Sequence, residues 1–186
     1  VLSNRLKETK NIGLAFSPEV NKKILDVGAD EQHLRQHLRS IDGHYFGVGY
    51  GNCDIVIDLE NGNLPFPDNF FDSVFCLDVL EHLENIHQMF EELCRVSGDS
   101  VIISLPNPYA SFFISLFKKS SLKRNPTKFY ALPVDPPYDR HRWFFSVEDS
   151  ISFVDYNAKK NNCEVVAVIR KRRGESRFFM LLFSIA

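Results

Sequence analysis

Lys23-Ile24-Leu25-Asp26-Val27-Gly28 is the stretch on which the fold turns. Ile24, Leu25 and Val27 form a short apolar run that stops at a glycine, which reads as a strand buried on both faces. Working outward, Leu34, Leu38 and Ile41 recur at helical spacing over residues 31–41. Strand patterns follow at residues 44–48 and 54–58, joined by Gly49-Tyr50-Gly51-Asn52, a link too short for a full helix. Prolines make a loop of Leu64-Pro65-Phe66-Pro67-Asp68-Asn69, and residues 71–77 read as a fourth strand. Leu83, Ile86, Phe90 and Leu93 share one face of a helix expected over residues 80–96. A fifth strand over 100–105 stops at Pro106-Asn107-Pro108. Ser146-Val147-Glu148-Asp149 has the capping-box form for a helix to about residue 160. Residues 163–170 and 177–185 then read as a hairpin across Arg173-Gly174-Glu175.

Strands alternating with helices predict an α/β domain: a mainly parallel sheet covered on both faces, with an antiparallel pair at its end. The 186 residues suit one domain, carrying an insert at about 108–145 where the strand–helix rhythm breaks. In such sheets ligands sit beyond the carboxyl ends of the strands, so chemistry is expected after Val27, Val48, Ile57, Leu77 and Leu105.

Composition narrows the classes. The net charge of −2 argues against a general grip on nucleic acid or anionic lipid. The apolar runs at 111–117 and 178–185 fall short of the roughly 20 residues of a membrane-spanning helix, so no transmembrane segment and a soluble protein are expected. Val1-Leu2-Ser3-Asn4-Arg5 has no apolar signal core and no Met, which leaves room for a missing leader. Cys53, Cys76, Cys94 and Cys163 form no Cys-x-x-Cys pair, and three lie in apolar segments. Free thiols in a reducing, cytoplasmic compartment are the expectation. Nothing in the chain sets an oligomeric state.

The strand ends carry a family likeness. Lys23-Ile24-Leu25-Asp26-Val27-Gly28, then Asp58-Leu59-Glu60 with Leu64-Pro65-Phe66-Pro67-Asp68-Asn69-Phe70-Phe71-Asp72, then Leu77-Asp78-Val79-Leu80-Glu81-His82-Leu83, resemble class I S-adenosylmethionine-dependent methyltransferases of the small-molecule branch. The resemblance implies a Rossmann-like, seven-stranded sheet, S-adenosyl-L-methionine as cofactor, and a small-molecule or glycan-like acceptor. It implies a cofactor site of Asp26, Gly28, Gly49, Asp58, Leu59 and Asp78, with Asp58 meeting the adenine. The glycine motif is degenerate, because Gly28 is followed by Ala29, Asp30, Glu31 and Gln32. Gly49 stands where the family places an acid for the ribose, so Gly49→Asp is expected to tighten cofactor binding. Two carboxylates at Asp30 and Glu31 would repel a dinucleotide pyrophosphate yet tolerate a cationic sulfonium.

For the acceptor, Asn107, Tyr109, Arg140 and Trp143 are the expected contacts. Arg140 and Arg142 suit a carboxylate or phosphate, which favours an anionic acceptor. His82 and His141 are the candidate bases. Asp139-Arg140-His141-Arg142-Trp143 reads equally as an ion-paired loop anchored by its tryptophan. Asp135-Pro136-Pro137-Tyr138 copies a base-methylating tetrapeptide, but it does not follow strand four and reads as a stiff loop. His33 and His37 stand four apart with no third ligand spaced to join them, so no metal site is assigned. A degenerate, non-catalytic interaction module is the competing reading, and the missing glycines and ribose acid favour it.

Overall fold

The structure is a computed structural model that describes residues 22–30, 34–35, 44–109, 140–173 and 176–185, with side chains to residue 168. Seven strands form one sheet: β1 (Ile24–Val27), β2 (Tyr45–Gly49), β3 (Ile55–Val56), β4 (Phe71–Leu77), β5 (Ser97–Pro106), β6 (Cys163–Arg173) and β7 (Ser176–Ile185). Their order is β3-β2-β1-β4-β5-β7-β6. β3, β2, β1, β4 and β5 run parallel. β7 is antiparallel to both β5 and β6. The chain reverses direction across the sheet between β1 and β4, and the carboxyl ends of both strands meet there.

Each central strand is apolar because both of its faces are covered. Leu25, Val27, Val74 and Cys76 join one core cluster with Leu80, Leu83, Met89, Phe90 and Leu93. Ile24, Leu34, Tyr45, Phe75 and Ile102 form a second cluster. Phe71 is the hub of an aromatic group, with the rings of Phe46 at 5.7 Å and Phe66 at 4.8 Å. Helix α1 (Ile86–Val96) buries Ile86, Met89, Phe90 and Leu93. Glu92 and Arg95, off that face, pin the proline loop: Arg95 donates to the Phe66 and Leu64 carbonyls and to Asp68, while the Leu64 N–H donates to Glu92. Helix α2 (Val147–Lys160) starts at the expected capping box, with Ser146 and Asp149 exchanging hydrogen bonds.

The helix expected over 80–96 is divided. A 3-10 turn at Leu80–His82 is followed by extended Leu83, and the α-helix begins at Ile86. The reason lies in the carbonyls of Glu81, His82 and Leu83, which a continuous helix would give to the amides four residues on. Here they accept instead from the Arg142 N–H, the Arg142 Nε and the Trp143 Nε1, at 2.8, 2.9 and 2.7 Å. β3 is likewise shorter than the expected 54–58. Its flanks still bond β2, the Asp54 N–H donating to the Gly47 carbonyl and the Ile57 N–H to the Gly49 carbonyl, while the Asp54 carboxylate takes the Gly47 N–H and pairs with Arg35. The residues of the insert from 110 to 139, including the tetrapeptide at 135–138, lie outside the described residues, as do His33 and His37. No helix of the described residues is long and apolar enough to cross a membrane.

Candidate functional site

The crevice beyond the strand ends is built first by backbone. Gly28 ends β1 at φ +80°, a left-handed conformation that glycine takes without penalty. A Cβ there would overlap the Val79 side chain, so the turn after β4 packs directly on the turn after β1. The amides of Gly28 and Ala29 both donate to the Val48 carbonyl, which draws the first turn toward the end of β2.

Asp30 then does what the sequence did not suggest. Its exposed carboxylate reaches across to the end of β2, where Oδ1 accepts the N–H groups of Tyr50 and Gly51 at 2.8 and 3.0 Å. A Cβ placed on Gly49 would collide with that same oxygen. An acid therefore stands at the end of β2, but it comes from the turn after β1. This corrects the expectation for Gly49→Asp: the space is filled by a carboxylate, and a second one would clash with it and repel it.

Asp58 projects after β3 and caps the 3-10 turn Leu59–Asn61 through the Glu60 N–H. It also takes the Tyr50 hydroxyl, and these two donors hold its carboxyl below the usual range. Partial burial, and then the same bond, push the Tyr50 phenol up to about 12. Asp58 and Asp30 are thus joined through one residue, Tyr50, whose ring is 50% exposed. Leu59, expected in the cofactor site, is buried and packs in the core.

Asp26 lies beneath the crevice, 6% exposed, and accepts the Tyr45 hydroxyl at 2.5 Å. Burial raises its pKa to about 7; the Tyr45 bond opposes that rise and the nearby Asp30 charge adds to it. Asp78 ends β4 at φ +55°. That left-handed conformation is uncommon for any residue but Gly and tolerable for Asp. The Ser104 hydroxyl holds it there, accepting the Asp78 N–H and donating to Asp78 Oδ1, both at 2.9 Å.

The post-β4 turn meets the segment 140–145 in a second constellation. Glu81 is 1% exposed, and its Oε1 lies 3.6 Å from His82 Nε2. The rings of His82 and His141 meet edge to face at 4.6 Å. His82 Nδ1 lies 3.2 Å from the Arg140 carbonyl, which accepts its proton. The two histidines expected as bases are therefore brought together, and buried Glu81 joins them. Helical spacing hid that role, because a residue on the first turn of a continuous helix would point elsewhere.

Arg142 and Trp143 serve as anchors. The Arg142 guanidinium pairs with Glu84 at 2.6 Å and Glu60 at 3.0 Å, besides its bonds to the turn. The Trp143 indole N–H goes to the Leu83 carbonyl while its ring stays 40% exposed. Asn107 is buried at the end of β5, and exposed Tyr109 packs edge-on against Phe144 at 4.5 Å. Arg140 is exposed.

Residues 22–102 match the family model of a methyltransferase domain. No curated protein matches the chain in sequence. Among solved structures, the methyltransferase domain of a bacterial CtHen1-CN superposes with a TM-score of 0.67 at 18% identity, covering 97% of this chain and 98% of that one. Magnesium protoporphyrin IX methyltransferase (ChlM) from Synechocystis PCC 6803, solved with bound SAH, gives 0.65 at 16% identity, over 98% of this chain and 83% of that one. The cyclase SpnF gives 0.66 at 11% identity, over 96% and 80%.

Proposed function

We propose that the protein is an S-adenosylmethionine-dependent methyltransferase acting on a small-molecule acceptor; the match of residues 22–102 to the methyltransferase-domain family model and the shared fold support this reading. The observation that carries this reading is the exposed Asp30 carboxylate at the end of β2. It restores an acid beside the place where the ribose hydroxyls are expected, although Gly49 cannot supply one. The residues present fit S-adenosylmethionine on that ground. Gly28 gives close backbone approach, Asp30 accepts ribose hydroxyls through its second oxygen, Asp58 and Tyr50 bound the adenine, and the Asp78 turn lies under the methionine end. The cofactor supplies a methyl group activated on a sulfonium, so the protein's work is to orient and to exclude water. Carboxylates of Asp30, Asp58 and Asp78 suit a cationic ligand and disfavour a pyrophosphate.

Asn107, Tyr109 and the exposed Arg140 stand on the acceptor side. With Arg142 engaged by Glu60 and Glu84, any preference for an anionic acceptor falls to Arg140. A second reading, an interaction module without catalysis, is favoured by one observation: the Asp30 and Asp58 carboxylates already have donors within the protein. Transfer of a labelled methyl group from S-adenosylmethionine to a panel of small hydroxyl, amine and carboxylate compounds separates the two. A labelled product is expected from the wild type, with a KM for the cofactor raised at least tenfold by Asp30→Asn. Absence of any S-adenosylhomocysteine binding would sink the enzyme reading.

A further inference from the structure

We propose that Glu81, His82 and His141 form a binding site for a divalent transition-metal cation. One ligand atom from each residue lies within 4.8 Å of those of the other two. Metal–nitrogen and metal–oxygen bonds of about 2.0–2.2 Å put neighbouring ligands about 3 Å apart, so the trio needs only side-chain adjustments to close on an ion. Glu81 Oε1 and His82 Nε2 are already at 3.6 Å.

Three features set this cluster apart from a chance grouping. The Arg140 carbonyl accepts the proton of His82 Nδ1, which leaves the lone pair on Nε2 aimed at the Glu81 carboxylate. A carbonyl orienting the far nitrogen is the usual outer support of a metal-bound histidine. Glu81 is 1% exposed, and a cation held beside its carboxylate and His82 Nε2 offsets the cost of burying that charge. Finally, the chain fixes both halves of the site in advance. Arg142 and Trp143 bond the carbonyls of Glu81, His82 and Leu83, so His141 is held beside a turn almost 60 positions earlier in sequence.

Two imidazoles and one carboxylate select borderline cations, such as zinc, cobalt, manganese or ferrous iron, over magnesium or calcium. Three protein ligands leave positions open for exogenous oxygen. Resting on the proposed methyl transfer, this places an oxygen donor of the acceptor at the mouth of the crevice after β4. The acceptor class is then a hydroxyl compound with a second oxygen able to chelate.

The test does not depend on that reading. Protein stripped with EDTA is titrated with Co2+, followed by visible absorption, and with Zn2+ in competition with a chromophoric chelator, without cofactor or acceptor. One equivalent is expected to bind, with a cobalt spectrum of mixed nitrogen and oxygen ligation. His82→Gln and His141→Gln are each expected to weaken binding at least a hundredfold, with unchanged circular dichroism. His87→Gln, whose ring faces Asn157 on α2, is expected to bind as the wild type does. Failure of the wild type to bind would make Glu81–His82 a protonated ion pair and overturn the proposal. Undiminished binding by His82→Gln and His141→Gln, or its loss only in His33→Gln with His37→Gln, would overturn it too. Calorimetry with S-adenosylhomocysteine, run separately, reports on the methyltransferase reading alone.

Discussion

Asp26 shows how one residue of the founding strand carries opposite demands. It is buried, and burial lifts its pKa to about 7 despite the Tyr45 hydrogen bond. A folded-state pKa raised above the unfolded one means that the native state binds the proton more tightly. Its favourable contribution is therefore full below about pH 4 and is lost as the pH rises through about 7. Asp26→Asn, which keeps an acceptor for Tyr45, removes this dependence. The fall in urea midpoint between pH 5 and pH 8 should be smaller in the variant than in the wild type. Gly28 is constrained more simply, by its φ of +80° and by the Val79 side chain. Gly28→Ala should cost about 2–4 kcal/mol, read as a lower urea midpoint with unchanged slope. The strand was legible at these positions because its apolar run and its terminal glycine have the same physical cause. The pairing of Asp30 with Gly49 was not legible, because it links strand ends that become neighbours only when the sheet forms.

At the scale of elements, local signals were read well where local physics decides. The capping box at Ser146 and Asp149 forms as its spacing requires, and β4 matches residues 71–77. Ser146→Ala should cost about 1 kcal/mol in urea unfolding, by removing the acceptor for the Asp149 N–H. An unchanged midpoint would mean that packing of Val154 and Ala158 alone fixes the start of that helix. The pattern of Leu83, Ile86, Phe90 and Leu93 was right about burial and wrong about continuity. Apolar periodicity reports which side chains face the core, whereas the break after His82 depends on where the carbonyls find donors. Those donors, Arg142 and Trp143, arrive from 60 positions away or more, and no window over residues 80–96 contains them.

For the whole molecule, the strand order and the antiparallel β7 bring the first turn, the end of β2, the cap at Asp58 and the post-β4 turn to one edge. The central claim is that this edge holds an adenosyl group with Asp30 in place of the acid missing at Gly49. Asp30→Asn keeps an oxygen for the Tyr50 and Gly51 amides while taking away the outward carboxylate oxygen, so it separates support of the loop from contact with the ribose. The direct measurement is a calorimetric titration of the wild type and Asp30→Asn with S-adenosylhomocysteine. The account predicts one site in the wild type, and affinity roughly ten-fold to hundred-fold weaker in the variant, about 1.4–2.7 kcal/mol. Equal affinities in the two proteins, or no binding by the wild type, would contradict it.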